Sequence, residues 1–172
     1  MLACEFPGNC SVIECVTLNG TSVSSSCIRE YLLLGDIESA NRMLGYNYYA
    51  KGKVIHGKKL GRSIGAPTAN ILFPENKLIP RHGVYAVKVR ISGTDNEYIG
   101  VSNVGNRPTV KDKFGVTCET FILDFNEDIY GKEITVSFYT KIRDEKKFSS
   151  IDELSEEIIK NALWTREYFL NN

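Results

Sequence analysis

The feature that most limits how this chain can fold is its middle. Between Tyr48 and Arg143, runs rich in Val, Ile, Tyr, Phe and Thr recur, broken by clusters of Gly, Pro and Asn. β-Branched and aromatic residues suit a pleated, half-buried surface, while Gly, Pro and Asn serve the turns between strands. The pattern predicts strands near 48–56, 69–73, 84–91, 97–104, 117–125 and 134–142. No gap between them carries a helical repeat, and parallel strands need crossover connections. An antiparallel barrel or sandwich, a mainly β fold, is what remains.

Helical sequence is confined to the two flanks. Over SSSCIREYLLLGDIESANRMLG, residues 24–45, Ser24 to Ser26 can cap a first helix, Gly35 breaks it and Asp36 can cap a second. Near the other end, Ser150-Ile151-Asp152-Glu153 fits a capping box. Ile151, Leu154, Ile158 and Ala162 follow at helical spacing, one apolar stripe to lay on the barrel.

With 172 residues, the chain is one domain or one domain plus an appendage, long enough to bury a core. Lys plus Arg and Asp plus Glu both number 21, which gives no reason to expect a nucleic-acid or membrane surface. No run approaches the roughly 18 apolar residues of a membrane helix. The start, MLACEFPGNCSV, lacks the basic and apolar regions of a signal peptide. The five cysteines, Cys4, Cys10, Cys15, Cys27 and Cys118, are odd in number and include no C-x-x-C pair. They read as ordinary thiols in a reducing cytoplasm. His56 and His82 have no metal-ligating partners at sensible spacing and read as ordinary strand or loop residues.

One junction carries chemistry. In GRSIGAPTAN, residues 61–70, a flexible loop runs straight into Pro67-Thr68-Ala69-Asn70. Thr68 and Asn70 are two apart, so on a strand they share a face. A hydroxyl and an amide carbonyl are hard oxygen ligands that suit Mg²⁺, which typically takes its other ligands from phosphates and water. Pro67 stiffens the approach, and Gly61 and Gly65 allow backbone N–H groups to come close to phosphate oxygens. Lys58, Lys59 and Arg62 add positive charge. The stretch reads either as a nucleotide-phosphate site or simply as a turn before a strand. Next to it, Gly52 to Lys58 matches G-x-x-x-x-G-K, but Lys59 stands where Ser or Thr belongs and no helix pattern follows, so this is not a phosphate loop.

A second candidate is Glu119. Alternation along 117–125 puts it on one face with Thr117, Phe121, Leu123 and Phe125. A carboxylate on a largely apolar face is desolvated, which moves its pKa toward the range of a general base. The alternative is a salt bridge to Arg107 or Arg143, or an edge-strand position. Asp124, Glu127 and Asp128 fall in or near the following loop and read as solvated.

In order, the chain reads GKVIHGKKLGRSIGAPTANI, HGVYAVKV, GVSNVGNRPTV, ETFILDFNEDIYGKEITVSF and KIRDEKKFSSIDEL. Over residues 46–170 this resembles the riboflavin kinase module of bacterial bifunctional riboflavin kinase/FAD synthetases. The resemblance implies a six-stranded antiparallel Greek-key β-barrel with a C-terminal helix and short N-terminal helices. It also implies transfer of the ATP γ-phosphate to the riboflavin 5′-hydroxyl, giving FMN. By the same resemblance Thr68 and Asn70 bind Mg²⁺ (or another divalent metal) and the ATP phosphates, and Glu119 is the catalytic base. Gly61, Arg62, Gly65 and Pro67 belong to the loop over the nucleotide. Phe121 stands where many relatives carry His.

Upstream, Val23-Ser24-Ser25-Ser26-Cys27-Ile28-Arg29 resembles a signature near the end of the adenylyltransferase domain of the same enzymes. Residues 1–45 then read as a remnant of that domain plus linker helices, and 46–172 as the kinase domain. Neither histidine sits in the H-x-G-H-type motif that FMN adenylylation needs. Either a longer chain has been cut or the natural chain starts late. The expected partners are the substrates riboflavin and ATP, with no nucleic acid and no membrane, on a monomer. A non-catalytic flavin- or nucleotide-binding barrel is the rival reading. An RNA- or protein-binding barrel is a further one, disfavoured by the zero net charge.

Overall fold

The computed structural model describes residues 14–57, 67–106 and 115–172. A short hairpin, β1 (Thr17–Leu18) and β2 (Thr21–Ser22), turns at Asn19-Gly20, both with positive φ (50° and 79°). Asn-Gly suits such a tight turn. Two helices follow, α1 (Ser25–Leu34) and α2 (Ile37–Leu44). Six further strands come next: β3 (Tyr49–Lys53), β4 (Thr68–Leu72), β5 (Gly83–Ile91), β6 (Glu97–Asn106), β7 (Val116–Ile122) and β8 (Glu133–Arg143). The helix α3 (Ile151–Asn171) closes the chain.

The helix ends are set by the residues the sequence offers. Ser24 Oγ accepts from Cys27 N at 3.2 Å, and Asp36 Oδ1 accepts from Ser39 N at 3.0 Å. Between them Gly35 takes a left-handed conformation (φ 85°), which only glycine adopts cheaply. At α3, Ser150 Oγ accepts from Glu153 N at 3.1 Å, and Glu153 Oε2 accepts in return from Ser149 N at 2.9 Å.

The six strands form one antiparallel sheet in the order β3-β8-β5-β6-β7-β4. Within it β8-β5-β6-β7 is a Greek key. The edge strands meet where Ile55, just past β3, bridges Asn70 and donates its N–H to the Asn70 carbonyl at 2.8 Å. The sheet is therefore a nearly closed barrel, and both edges are covered.

Side chains alternate across this wall. Val87, Val89, Val104, Cys118, Ile122, Ile134, Val136 and Phe138 belong to the main buried core. Leu32 of α1 and Ile37 and Ala40 of α2 join that same core. Asn41 ties α2 to the barrel: its Oδ1 accepts from Tyr48 N at 2.7 Å, and its Nδ2 donates to the Phe138 carbonyl at 2.8 Å. On the opposite face, Val84, Val101 and Leu123 form a smaller cluster with Ile99, Phe121, Ile142 and Ala162 of α3.

Two expectations change. The β7 strand ends at Ile122 rather than 125, because Asp124 takes positive φ (57°) and turns the chain. Phe125 then leaves the face of Glu119 and packs edge-on against Tyr98, 4.9 Å between ring centres. In α3, Ile151 is exposed, and the most buried residues are the polar Asn161 and Thr165. Leu154, Ile158 and Ala162 are half-buried, so the inward face keeps the expected stripe without Ile151 and extends onto the adjoining Asn161 and Thr165.

Candidate active site

The site begins with register. β4 pairs with β7 so that Thr68 faces Phe121 and Asn70 faces Glu119. β7 pairs with β6 so that Glu119 also faces Asn103. Asn103 in turn faces Val84, and Val84 faces Arg143. Directly opposed residues of antiparallel strands lie on one face. A row Asn70–Glu119–Asn103–Val84–Arg143 therefore crosses five strands. Val84 places it on the outer face, the one partly covered by α3.

At one end of the row, Asn70 is only 4% exposed. Its Nδ2 donates to the Thr68 carbonyl at 3.2 Å and to Thr68 Oγ1 at 3.3 Å. Gly57 lies against this amide: a Cβ there would stand 2.4 Å from Asn70 Nδ2 and 3.0 Å from its Oδ1. The donor amide is thus turned to Thr68, which leaves Asn70 Oδ1 and the Thr68 hydroxyl as neighbouring hard oxygens. That donor set fits Mg²⁺ sharing its shell with phosphates. Among the described residues no group of three His, Cys, Asp or Glu could hold a metal.

Pro67, Thr68 and Ala69 open onto a small cavity, about 50 Å³, walled by Val54, Ile122, Phe125 and Tyr130 with Glu127 and Asp128 at its rim. Ligand pockets typically run from about 300 Å³, so these described residues form one apolar wall of a site rather than a whole one. His56 packs at a tilt against Tyr130, 4.0 Å between ring centres.

At the other end of the row, the basic residues Lys141 and Arg143 of β8 and Lys146 just beyond it are paired. Arg143 Nε lies 3.0 Å from Glu157 Oε1 of α3, near enough for an ion pair although off the angle of a hydrogen bond. Lys141 pairs with Asp144, and Lys146 Nζ lies 3.1 Å from Glu153. Glu145 lies over Gly105, where a Cβ would meet its Oε1 at 2.1 Å, and 3.7 Å from His82 Nδ1. Asp124 is exposed and pairs with Arg166 at 2.7 Å. That ion pair holds its carboxyl below the usual carboxylate range.

Thr68, Asn70 and Glu119 lie on adjacent strands, β4 and β7, and on one face. The surroundings of Glu119 differ from the expected apolar face: its cross-strand neighbours are two amides. Arg143 is engaged with Glu157. Gly61, Arg62 and Gly65, with Lys58, Lys59 and Arg107, lie outside the described residues. Asn103 and Gly57 are additions; only strand register and the packing of Asn70 bring them into view.

Fold and row define a class: a mainly β domain, a nearly closed Greek-key barrel with a hydroxyl, an amide and a carboxylate gathered beside its seam. The chain belongs to the riboflavin kinase family, whose model, described as "Flavokinase: Riboflavin kinase", matches residues 44–169. It is 43% identical over 164 residues to a bifunctional riboflavin kinase/FMN adenylyltransferase of Bacillus subtilis, covering 94% of this chain and 51% of that protein. The chain thus spans about half the length of the curated relatives it matches. A Streptococcus pneumoniae structure described as a macrolide-efflux protein superimposes with a TM-score of 0.85 at 34% identity, over 96% of this chain and 53% of that one. In this chain, among the described residues, no helix is long and apolar enough to cross a membrane. A riboflavin kinase from Trypanosoma brucei shares the fold, with a TM-score of 0.51 at 21% identity over 71% of this chain and 76% of that one.

Proposed function

We propose that this chain is an ATP-dependent riboflavin kinase, transferring the γ-phosphoryl group of ATP to the 5′-hydroxyl of riboflavin to give FMN and ADP. The observation that supports this best is the juxtaposition of Thr68 and Asn70 with Glu119 across β4 and β7. Phosphoryl transfer depends on positioning and charge neutralisation more than on covalent chemistry. Thr68 Oγ1 and Asn70 Oδ1 hold the metal-nucleotide end. Mg²⁺, when bound there, supplies charge neutralisation at the phosphate oxygens. Glu119 takes the proton of the riboflavin hydroxyl as its oxygen bonds to the γ-phosphorus and the bond to ADP breaks. The apolar wall of Val54, Ile122, Phe125 and Tyr130 beside Thr68 suits a flat adenine ring. Pro67, with Gly61, Arg62 and Gly65, belongs to the loop over the phosphates. We assign residues 1–45 to the end of an adenylyltransferase domain with its linker, and 46–172 to the kinase. The enzyme acts in the cytoplasm as a monomer, and this sequence lacks the motif for FMN adenylylation.

The test is chromatographic. Protein, riboflavin, ATP and Mg²⁺ are incubated, and riboflavin, FMN and FAD are separated. FMN without FAD is expected. Glu119→Gln should lower turnover by roughly 10²–10⁴-fold, the scale of a general base, while ATP still binds. A well-folded protein that makes no FMN would overturn the assignment, and normal turnover in Glu119→Gln would remove the base.

A further inference from the structure

We infer that Asn103 contacts the acceptor substrate, its carboxamide hydrogen-bonding the polyol chain beside the hydroxyl that Glu119 deprotonates. This rests on the kinase reading above and deepens it.

The argument starts from the two sides of Glu119. Asn70 stands on one side, on β4, and Asn103 on the other, on β6. The two amides are not equivalent. Asn70 is 4% exposed, and its N–H donors are turned to Thr68. Asn103 is only half-buried, and no hydrogen bond of its side chain occurs among the described residues. An amide carries two donors and an acceptor, which is the complement of a hydroxyl. Adjacent strands are about 4.8 Å apart, so the row from Asn70 to Asn103 spans about 10 Å. That distance accommodates a phosphoryl donor on one side of Glu119 and an acceptor hydroxyl on the other.

The surroundings of Asn103 favour a polyol. Gly105, two residues further along the same face, carries no side chain, and the Glu145 carboxylate lies over it. In the opposite direction Val101 is buried in the outer cluster with Phe121 and Ala162. Asn103 therefore stands at a boundary between polar and apolar surface. Such a boundary matches a molecule with a flat apolar ring and a hydroxylated tail. A hydroxyl-reading amide also gives selectivity, because an acceptor lacking the hydroxyl leaves it unpaired.

Fluorescence quenching is measured for riboflavin and for lumiflavin, which has a methyl group in place of the polyol, with Mg-ADP present. The wild-type protein should prefer riboflavin. In Asn103→Ala that preference should shrink by roughly tenfold, the worth of one or two hydrogen bonds, with lumiflavin affinity, the KM for ATP and the melting temperature unchanged. Asn103→Asp, of the same size but without the N–H donors, should lose the preference as well and guards against a folding defect in the alanine variant. An undiminished preference in folded variants would overturn the inference. FMN formation by wild type separates the two ideas. If FMN forms and the preference does not move, Asn103 alone is misassigned. If the preference moves but no FMN forms, the contact stands and the kinase reading fails.

Discussion

Gly57→Ala is a substitution of one methyl group whose effect can be worked out from the site. Gly57 is not among the positive-φ residues, so alanine suits its backbone. The difficulty is the neighbour: the new Cβ would stand 2.4 Å from Asn70 Nδ2 and 2.8 Å from its Cγ. Carbon atoms pack best at about 3.5–4.0 Å, so the amide has to retreat by about 1 Å. Its two bonds to Thr68, already 3.2 and 3.3 Å, would then break. Leaving this buried amide short of partners costs about 1–3 kcal/mol. For a chain of this size each kcal/mol lowers the melting temperature by roughly 2–4 °C. The larger effect falls on chemistry, since a misplacement of about 1 Å costs on the order of 10²-fold. The assay is steady-state kinetics against Mg-ATP with a thermal melt alongside. Asn70→Ala removes the group that clashes, so adding Gly57→Ala to it should change little further, a strongly non-additive pair. Wild-type kinetics and melting in Gly57→Ala, or strict additivity with Asn70→Ala, would refute the reasoning.

Further outcomes follow from the same geometry. Thr68→Ala should raise the KM for Mg-ATP while riboflavin binding persists; equal losses of both in a ligand-binding titration would place Thr68 elsewhere. Leu32 is 2% exposed within the main core, so Leu32→Ala should cost about 2–5 kcal/mol in urea unfolding, and a loss below about 1 would mean α1 is not part of that core. Hydrogen bonds from the Ser149 backbone and hydroxyl, then Lys146, hold the Glu153 carboxyl at about 2, against an ordinary 4.5. A depressed pKa contributes stability above the unfolded value and loses it as pH falls through the folded one. Wild type should therefore lose stability between about pH 4.5 and 2, and Glu153→Gln should flatten that part of the pH–melting curve.

The strand runs, the helix caps and the shared face of Thr68 and Asn70 were legible in the sequence because each depends on local chemistry. β-Branched runs, a serine before a helix and an i,i+2 spacing need no knowledge of distant residues. Glu119 was legible as a candidate, but not its surroundings. Its neighbours come from β4 and β6, and register is not written in any one strand. Asn103 was invisible for the same reason. Gly57 matters through a contact thirteen positions away, at Asn70, and a glycine carries no periodic signal. In α3 the inward stripe of Leu154, Ile158 and Ala162 was legible, but the burial of the polar Asn161 and Thr165 beside it was not. Hydropathy alone does not mark the polar residues that a helix buries against a sheet.

The two helices before the barrel have a practical meaning for how such a protein is divided. Leu32, Ile37 and Ala40 share the main core with the barrel strands, the Arg81 N–H donates to the Leu32 carbonyl at 2.9 Å, and Asn41 bonds both Tyr48, just before β3, and Phe138 of β8. The packed core therefore reaches back into α1, across the boundary proposed near residue 45. A graft of this barrel onto another protein has to carry both helices along. Any pull exerted upstream of Ser24 would then act directly on the interior of the barrel, with no slack tether to absorb it.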